Sequence, residues 1–124
     1  MRQFKKTLIA SLAASFIAAM PAFAEAPKVV AVEASSTGMG WTFAVTLSHP
    51  DTGWDHFADG WEVVDEAGNV LGHRKLQHPH VEEQPFKRSL KNVLLPDGTR
   101  KVYIRVRCNA HGWKEETHEV LLKR

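Results

Sequence analysis

Residues 41–49, WTFAVTLSH, alternate strictly between two kinds of side chain. Trp41, Phe43, Val45 and Leu47 fall on one face, and Thr42, Ala44, Thr46 and Ser48 on the other. A repeat of two is the period of a pleated strand and cannot lay an apolar stripe along a helix. The same alternation returns at 102–108, VYIRVRC, with Val102, Ile104, Val106 and Cys108 inward and Tyr103, Arg105 and Arg107 outward. A chain built on such segments needs a sheet with one face turned to a core.

The rest of the chain fits that requirement. Short strands are expected at 28–35, 61–64, 70–76, 86–95 and 117–123. STGMG at 36–40, DEAGN at 65–69 and PDGTRK at 96–101 read as turns. Polar loops are expected at 50–60, 77–85 and 109–116, and no segment carries a helical period. The expected fold is all-β, an immunoglobulin-like antiparallel sandwich of about seven strands. The cysteine pair of antibody domains is missing, and the outward parity of Tyr103 argues against a tyrosine corner.

The first residues belong to targeting. Arg2, Lys5 and Lys6 precede the apolar run TLIASLAASFIAAM, and Ala22 to Ala24 form a small-x-small cleavage site. Residues 1–24 are expected to be a cleavable signal peptide and 25–124 a single domain, periplasmic or secreted. The apolar run is too short for a membrane span, and none is expected in the mature form. The chain has 16 Lys and Arg against 14 Asp and Glu; the signal carries three of the basic residues, which leaves 13 against 14. Near neutrality excludes the basic footprint of a nucleic-acid binder. One cysteine excludes an intrachain disulfide, so Cys108 is a buried filler, an intermolecular partner or a ligand.

All seven histidines lie in the expected domain. In an antiparallel sandwich the chain reverses at each turn, so the loops at 50–60, 77–85 and 109–116 share one pole. His49 leaves the core face of its strand there, His56 follows it, His78 and His80 lie in the second loop, and Cys108 and His111 at the third. Imidazole and thiolate are ligands for first-row transition metals. Asp51, Asp55 and Asp59 are candidate acceptors for histidine N–H groups behind such a metal. Each residue also has a simpler use. Cys108 packs like a small hydrophobe, and His78-Pro79-His80 makes a turn. His73 and His118 are exposed strand residues, and Trp41 and Trp61 are core. Trp54 and Trp113 roof a site or contact a sugar.

CNAHGW at 108–113 resembles the Cys-Asn-x-His-Gly motif of superoxide reductases, the iron domain of neelaredoxins and desulfoferrodoxins. HPDTGWDH at 49–56 resembles the same family's His-Pro-x-Thr stretch with a second histidine after it. The resemblance implies an immunoglobulin-like sandwich holding one iron by four equatorial imidazoles and an axial thiolate. It implies Cys108 as the axial ligand and His49, His56 and His111 as three equatorial ones. The family's first histidine, near the N-terminus beside a lysine, has no counterpart in EAPKVVAVEASS, although Lys28 lies there. One of His78 and His80 is the expected replacement. The middle of the chain, LGHRKLQHPHVEEQPFKRSL, departs from that family and is similar to small uncharacterised exported bacterial proteins.

The activity implied is one-electron reduction of superoxide to hydrogen peroxide at Fe(II), with a separate electron donor. Superoxide or another small anion would be the substrate, drawn by Lys28, Lys75, Lys87 or Arg88. Two other functions fit the same residues. One is a non-catalytic periplasmic copper or zinc binder. The other is a metal-free sandwich that binds a ligand or protein through Trp54 and Trp113. Met39 is the one methionine of the expected domain, which argues against a thioether-rich Cu(I) site.

Overall fold

The computed structural model describes residues 26–123, so the expected signal peptide lies outside the described residues. Eight strands follow in order: β1 (Lys28–Thr37), β2 (Gly40–Ser48), β3 (Ala58–Val64), β4 (Val70–Lys75), β5 (Phe86–Val93), β6 (Lys101–Cys108), β7 (Gly112–Trp113) and β8 (His118–Leu121). They form two antiparallel sheets, β1-β2-β5 and β4-β3-β6-β7, with β8 also on β6. The fold is the expected all-β sandwich. β7 lies beside the end of β6 and β8 beside its start, so the two share the place of a single seventh strand. None of the described residues forms a helix long and apolar enough to cross a membrane.

The core follows from the alternation. In β2, Trp41, Phe43, Val45 and Leu47 are buried; in β6, Val102, Ile104, Val106 and Cys108 are. Trp61 and Val63 of β3 and Phe86 and Val93 of β5 complete the layer between the sheets. Two local features let the sheets close. Between Trp41↔Val93 and Phe43↔Leu90 the ladder slips by one residue on β5, where Asn92 takes φ 60°. Asn tolerates this left-handed conformation, which suits a bulge. Gly72 of β4 leaves room for β5, because a Cβ there would lie 2.8 Å from Leu90 Cδ2.

The strand pairings define one pole. Lys28 pairs with Ser48 and Leu47 with Phe86 in one sheet, and Ala58 pairs with Cys108 and Gly60 with Lys75 in the other. The segments 49–57, 76–85 and 109–111 therefore meet at the same end of the sandwich. β3 begins at Ala58, inside the expected loop, because its backbone continues the ladder as far as Cys108.

Candidate metal centre

His49 is the first residue beyond β2, and it keeps the inward parity of Leu47. Its ring is carried under the 49–57 loop and is 1% exposed. Its Nδ1 lies 2.5 Å from Asp51 Oδ1. An ionised carboxylate only accepts, so Nδ1 is the N–H donor, and Nε2 is the nitrogen left for another partner. That Nε2 is buried with no hydrogen-bond partner. A buried polar atom without a partner carries a desolvation cost, so this nitrogen is a candidate to hold a ligand.

Cys108 supplies the other half. It ends β6 on the core face and is fully buried. Residues 109–111 reverse the chain, and Gly112, at φ 79°, starts β7 back along β6. The reversal returns His111 to the cysteine. The backbone N–H of His111 donates to Sγ at 3.2 Å, and its ring Nδ1 lies 3.5 Å from the same sulfur. Asn109 fixes the turn from outside, accepting from Phe57 N at 2.8 Å and donating to Trp54 O at 2.9 Å.

His56 enters from the 49–57 loop. A small bridge between Gly53 and His56 closes that loop. His56 Nε2 reaches to 3.5 Å from Sγ. Its ring meets His49 edge-on at 4.7 Å between centroids and His111 at 5.2 Å. One donor atom each from His49, His56 and Cys108 lie within 4.8 Å of one another. With Nδ1 of His49 engaged by Asp51, Nε2 is the ring nitrogen left to serve as a ligand atom. The three residues form a compact His, His, Cys group, with His111 on its exposed side.

His78 and His80 reach the same pole by a different route. His78 is exposed, with Nδ1 3.1 Å from the carbonyl of Pro79. His80 is buried and stacks on Phe86 at 3.9 Å between centroids, with the ring planes nearly parallel. Its Nε2 faces Arg88 NH2 at 2.9 Å, and a guanidinium only donates, so Nε2 accepts. Burial, helped by Arg88 and His78, holds His80 below the ordinary histidine value. Neither ring belongs to the His, His, Cys group.

Asp51 ties these parts together. Besides His49, it accepts from Ala58 N at 3.0 Å through Oδ1 and from His80 N at 2.7 Å through Oδ2. Of the other aspartates, Asp59 pairs with Arg107 at 2.9 Å, and Asp55 is exposed. Gln84 adds a second tie: its Oε1 takes His49 N at 2.9 Å, and its Nε2 donates to His80 O at 2.8 Å. Sequence reasoning passed over Gln84, because a glutamine in a polar loop carries no pattern.

A cleft of about 740 Å³ opens beside Cys108 and His111, lined also by Pro27, Trp113, Lys114 and Glu116. Lys114, also unforeseen, donates from Nζ to Pro27 O at 3.3 Å. Lys28 lies exposed at the start of β1 and lines an adjoining groove that shares Lys114 and Glu116 with this cleft. Lys87 pairs with Glu33, and Arg88 lies 3.5 Å from Glu83. The two loop tryptophans part company. Trp54 is 67% exposed at the pole over Phe57. Trp113 lies on the outer sheet face, with Arg105 4.4 Å and Arg107 5.4 Å from its ring.

The donor set suits a transition metal. Imidazole nitrogen and thiolate sulfur together select zinc, copper or iron over the hard cations. The partnerless Nε2 of His49 and the buried sulfur of Cys108 are donor types that such an ion would take.

A protein of Halomicrobium mukohataei that bears the name "Putative lipoprotein" is 42% identical to this chain over 79 residues. The match covers 64% of this chain and 38% of that protein, so the chain spans well under half of the relative's length. No family model matches the chain, and no solved structure matches it.

Proposed function

We propose that this chain is an exported domain that binds one transition-metal ion through His49, His56, Cys108 and His111. The observation that carries the reading is the buried Nε2 of His49, partnerless and grouped with His56 and the Cys108 sulfur. The N-terminal segment reads as an export signal, and the name of the Halomicrobium mukohataei relative agrees with export.

Iron is the metal we favour, on the resemblance of CNAHGW and HPDTGWDH to the superoxide reductases. When bound, iron would supply the single electron that, with two protons, converts superoxide to hydrogen peroxide. The chain's own part is to hold the ligands, shield the sulfur and admit a small anion. Cys108 is buried, and the backbone N–H of His111 stabilises negative charge on its sulfur. The cleft beside His111 gives a path from solvent, with Lys114 as the cation on its wall. Lys28, on the adjoining groove that shares Lys114 with this cleft, stays a second candidate to draw the anion. An external donor would restore the electron. His80 then acts behind the ligands, and three imidazoles with one thiolate hold the ion.

That donor count favours a second reading. Three nitrogens and one sulfur complete a four-coordinate zinc or copper ion with no position left for substrate. Metal analysis of protein produced without added metal separates the cases. Near one iron per chain, a visible charge-transfer band in the oxidised form and rapid superoxide consumption by the reduced form support the reductase. Zinc or copper at the same stoichiometry, with no such activity, supports the binder. Loss of metal in Cys108→Ala is expected in both. Undiminished metal in that variant would refute both.

A further inference from the structure

We propose that Asp51 is the positioning residue of this centre, holding His49 in the one tautomer and orientation that present Nε2 to the ion. The inference rests on the metal-binding reading above and extends it to a residue outside the ligand set.

The geometry is unusually restrictive for one side chain. The Asp51 carboxylate is fully buried and takes three N–H groups from three parts of the pole. Oδ1 receives the ring of His49 and also the backbone of Ala58. Ala58 is the residue paired with Cys108 across the β3–β6 ladder. A single oxygen therefore receives both the ring of the nitrogen ligand and the backbone opposite the sulfur ligand. Oδ2 receives His80 N, which pins the 76–85 loop and stops the carboxylate from turning. Which ring nitrogen of a histidine binds metal is set by the hydrogen bond that the other makes. With Asp51 in place, Nδ1 keeps the proton. Without it, nothing else in the described pole fixes the His49 ring by hydrogen bonding, and either nitrogen can carry the proton.

A residue of purely structural importance would weaken metal binding whether or not His49 is present. A positioning residue acts only through His49. Cobalt(II) affinity, measured by competition with a chelator, should fall about 10- to 100-fold in Asp51→Asn. In a His49→Ala background the same substitution should change affinity by no more than about twofold. Equal losses in both backgrounds would overturn the proposal. A second measurement needs no variant: the ring ¹⁵N shifts of His49 in metal-free protein. They should report a proton on Nδ1. The reverse tautomer would overturn the proposal even if Asp51→Asn failed to fold. A folded wild-type protein with no affinity for cobalt would instead remove the metal-binding reading, and this inference with it, whatever tautomer His49 shows.

Discussion

The side chains at the pole fall into those that parity exposes to reading and those that only the folded loops define. His49, Cys108 and the buried faces of β2 and β6 obey a repeat of two, so their direction was legible in the sequence. His78 and His80 were not. In an extended chain residues two apart point the same way, but the segment between β4 and β5 is not extended. It leaves His78 in solvent and stacks His80 on Phe86. That burial has a measurable consequence. The folded state holds the His80 pKa below the 6.5 of an ordinary histidine. The unfolded chain therefore binds a proton first as pH falls. Stability from neutral His80 is complete above about 6.5 and is lost as pH falls from there to the lowered folded value. Denaturant midpoints of the chelator-treated protein should decline across that window. In His80→Gln the decline should be shallower.

Among the elements, the long strands were legible and the short ones were not. Their limits shifted by a few residues, most at β3, where the Ala58↔Cys108 pairing extends the ladder into a stretch that reads as loop. β7 has two residues, too few to show any period. Its importance lies in the reversal before it. Gly112 adopts φ 79°, and a Cβ there would touch nothing. Gly112→Ala should therefore cost conformational strain alone, about 1–2 kcal/mol. It should also weaken metal binding, because the reversal is what brings His111 to the sulfur. Gly72→Ala is the contrasting case. Its methyl would press on Leu90 and Val93 between the sheets. The expected cost is about 1–3 kcal/mol from overpacking, read as a lower denaturant midpoint, with metal affinity at the distant pole unchanged.

At the scale of the whole molecule, the candidate site joins the two sheets. His49 follows β2 in the three-stranded sheet, and Cys108 ends β6 in the other. In antibody domains a disulfide spans the sheets between the corresponding strands; here a metal would take that part at one end. Removing the metal should raise amide hydrogen exchange at 49–58, 76–85 and 108–113. Exchange in the turns at 65–69 and 94–100, at the other end, should stay as it was. Uniform protection with and without chelator would contradict this. The two-sheet plan was legible from the alternation and the turn spacing. The lacing of the pole by Asp51 and Gln84 was not, because it joins residues distant in the chain through single hydrogen bonds.

Cys108 and His111 come from the second half of the chain and His49 and His56 from the first, and the pairing of β6 with β3 brings the two sets together. An extended polypeptide therefore offers only local sets such as Cys108 with His111, and a partial set binds an ion far more weakly than the assembled one. On the proposed reading, full loading would follow folding. The surroundings in which the last strands dock, rather than those in which the chain is made, would then decide which ion it carries.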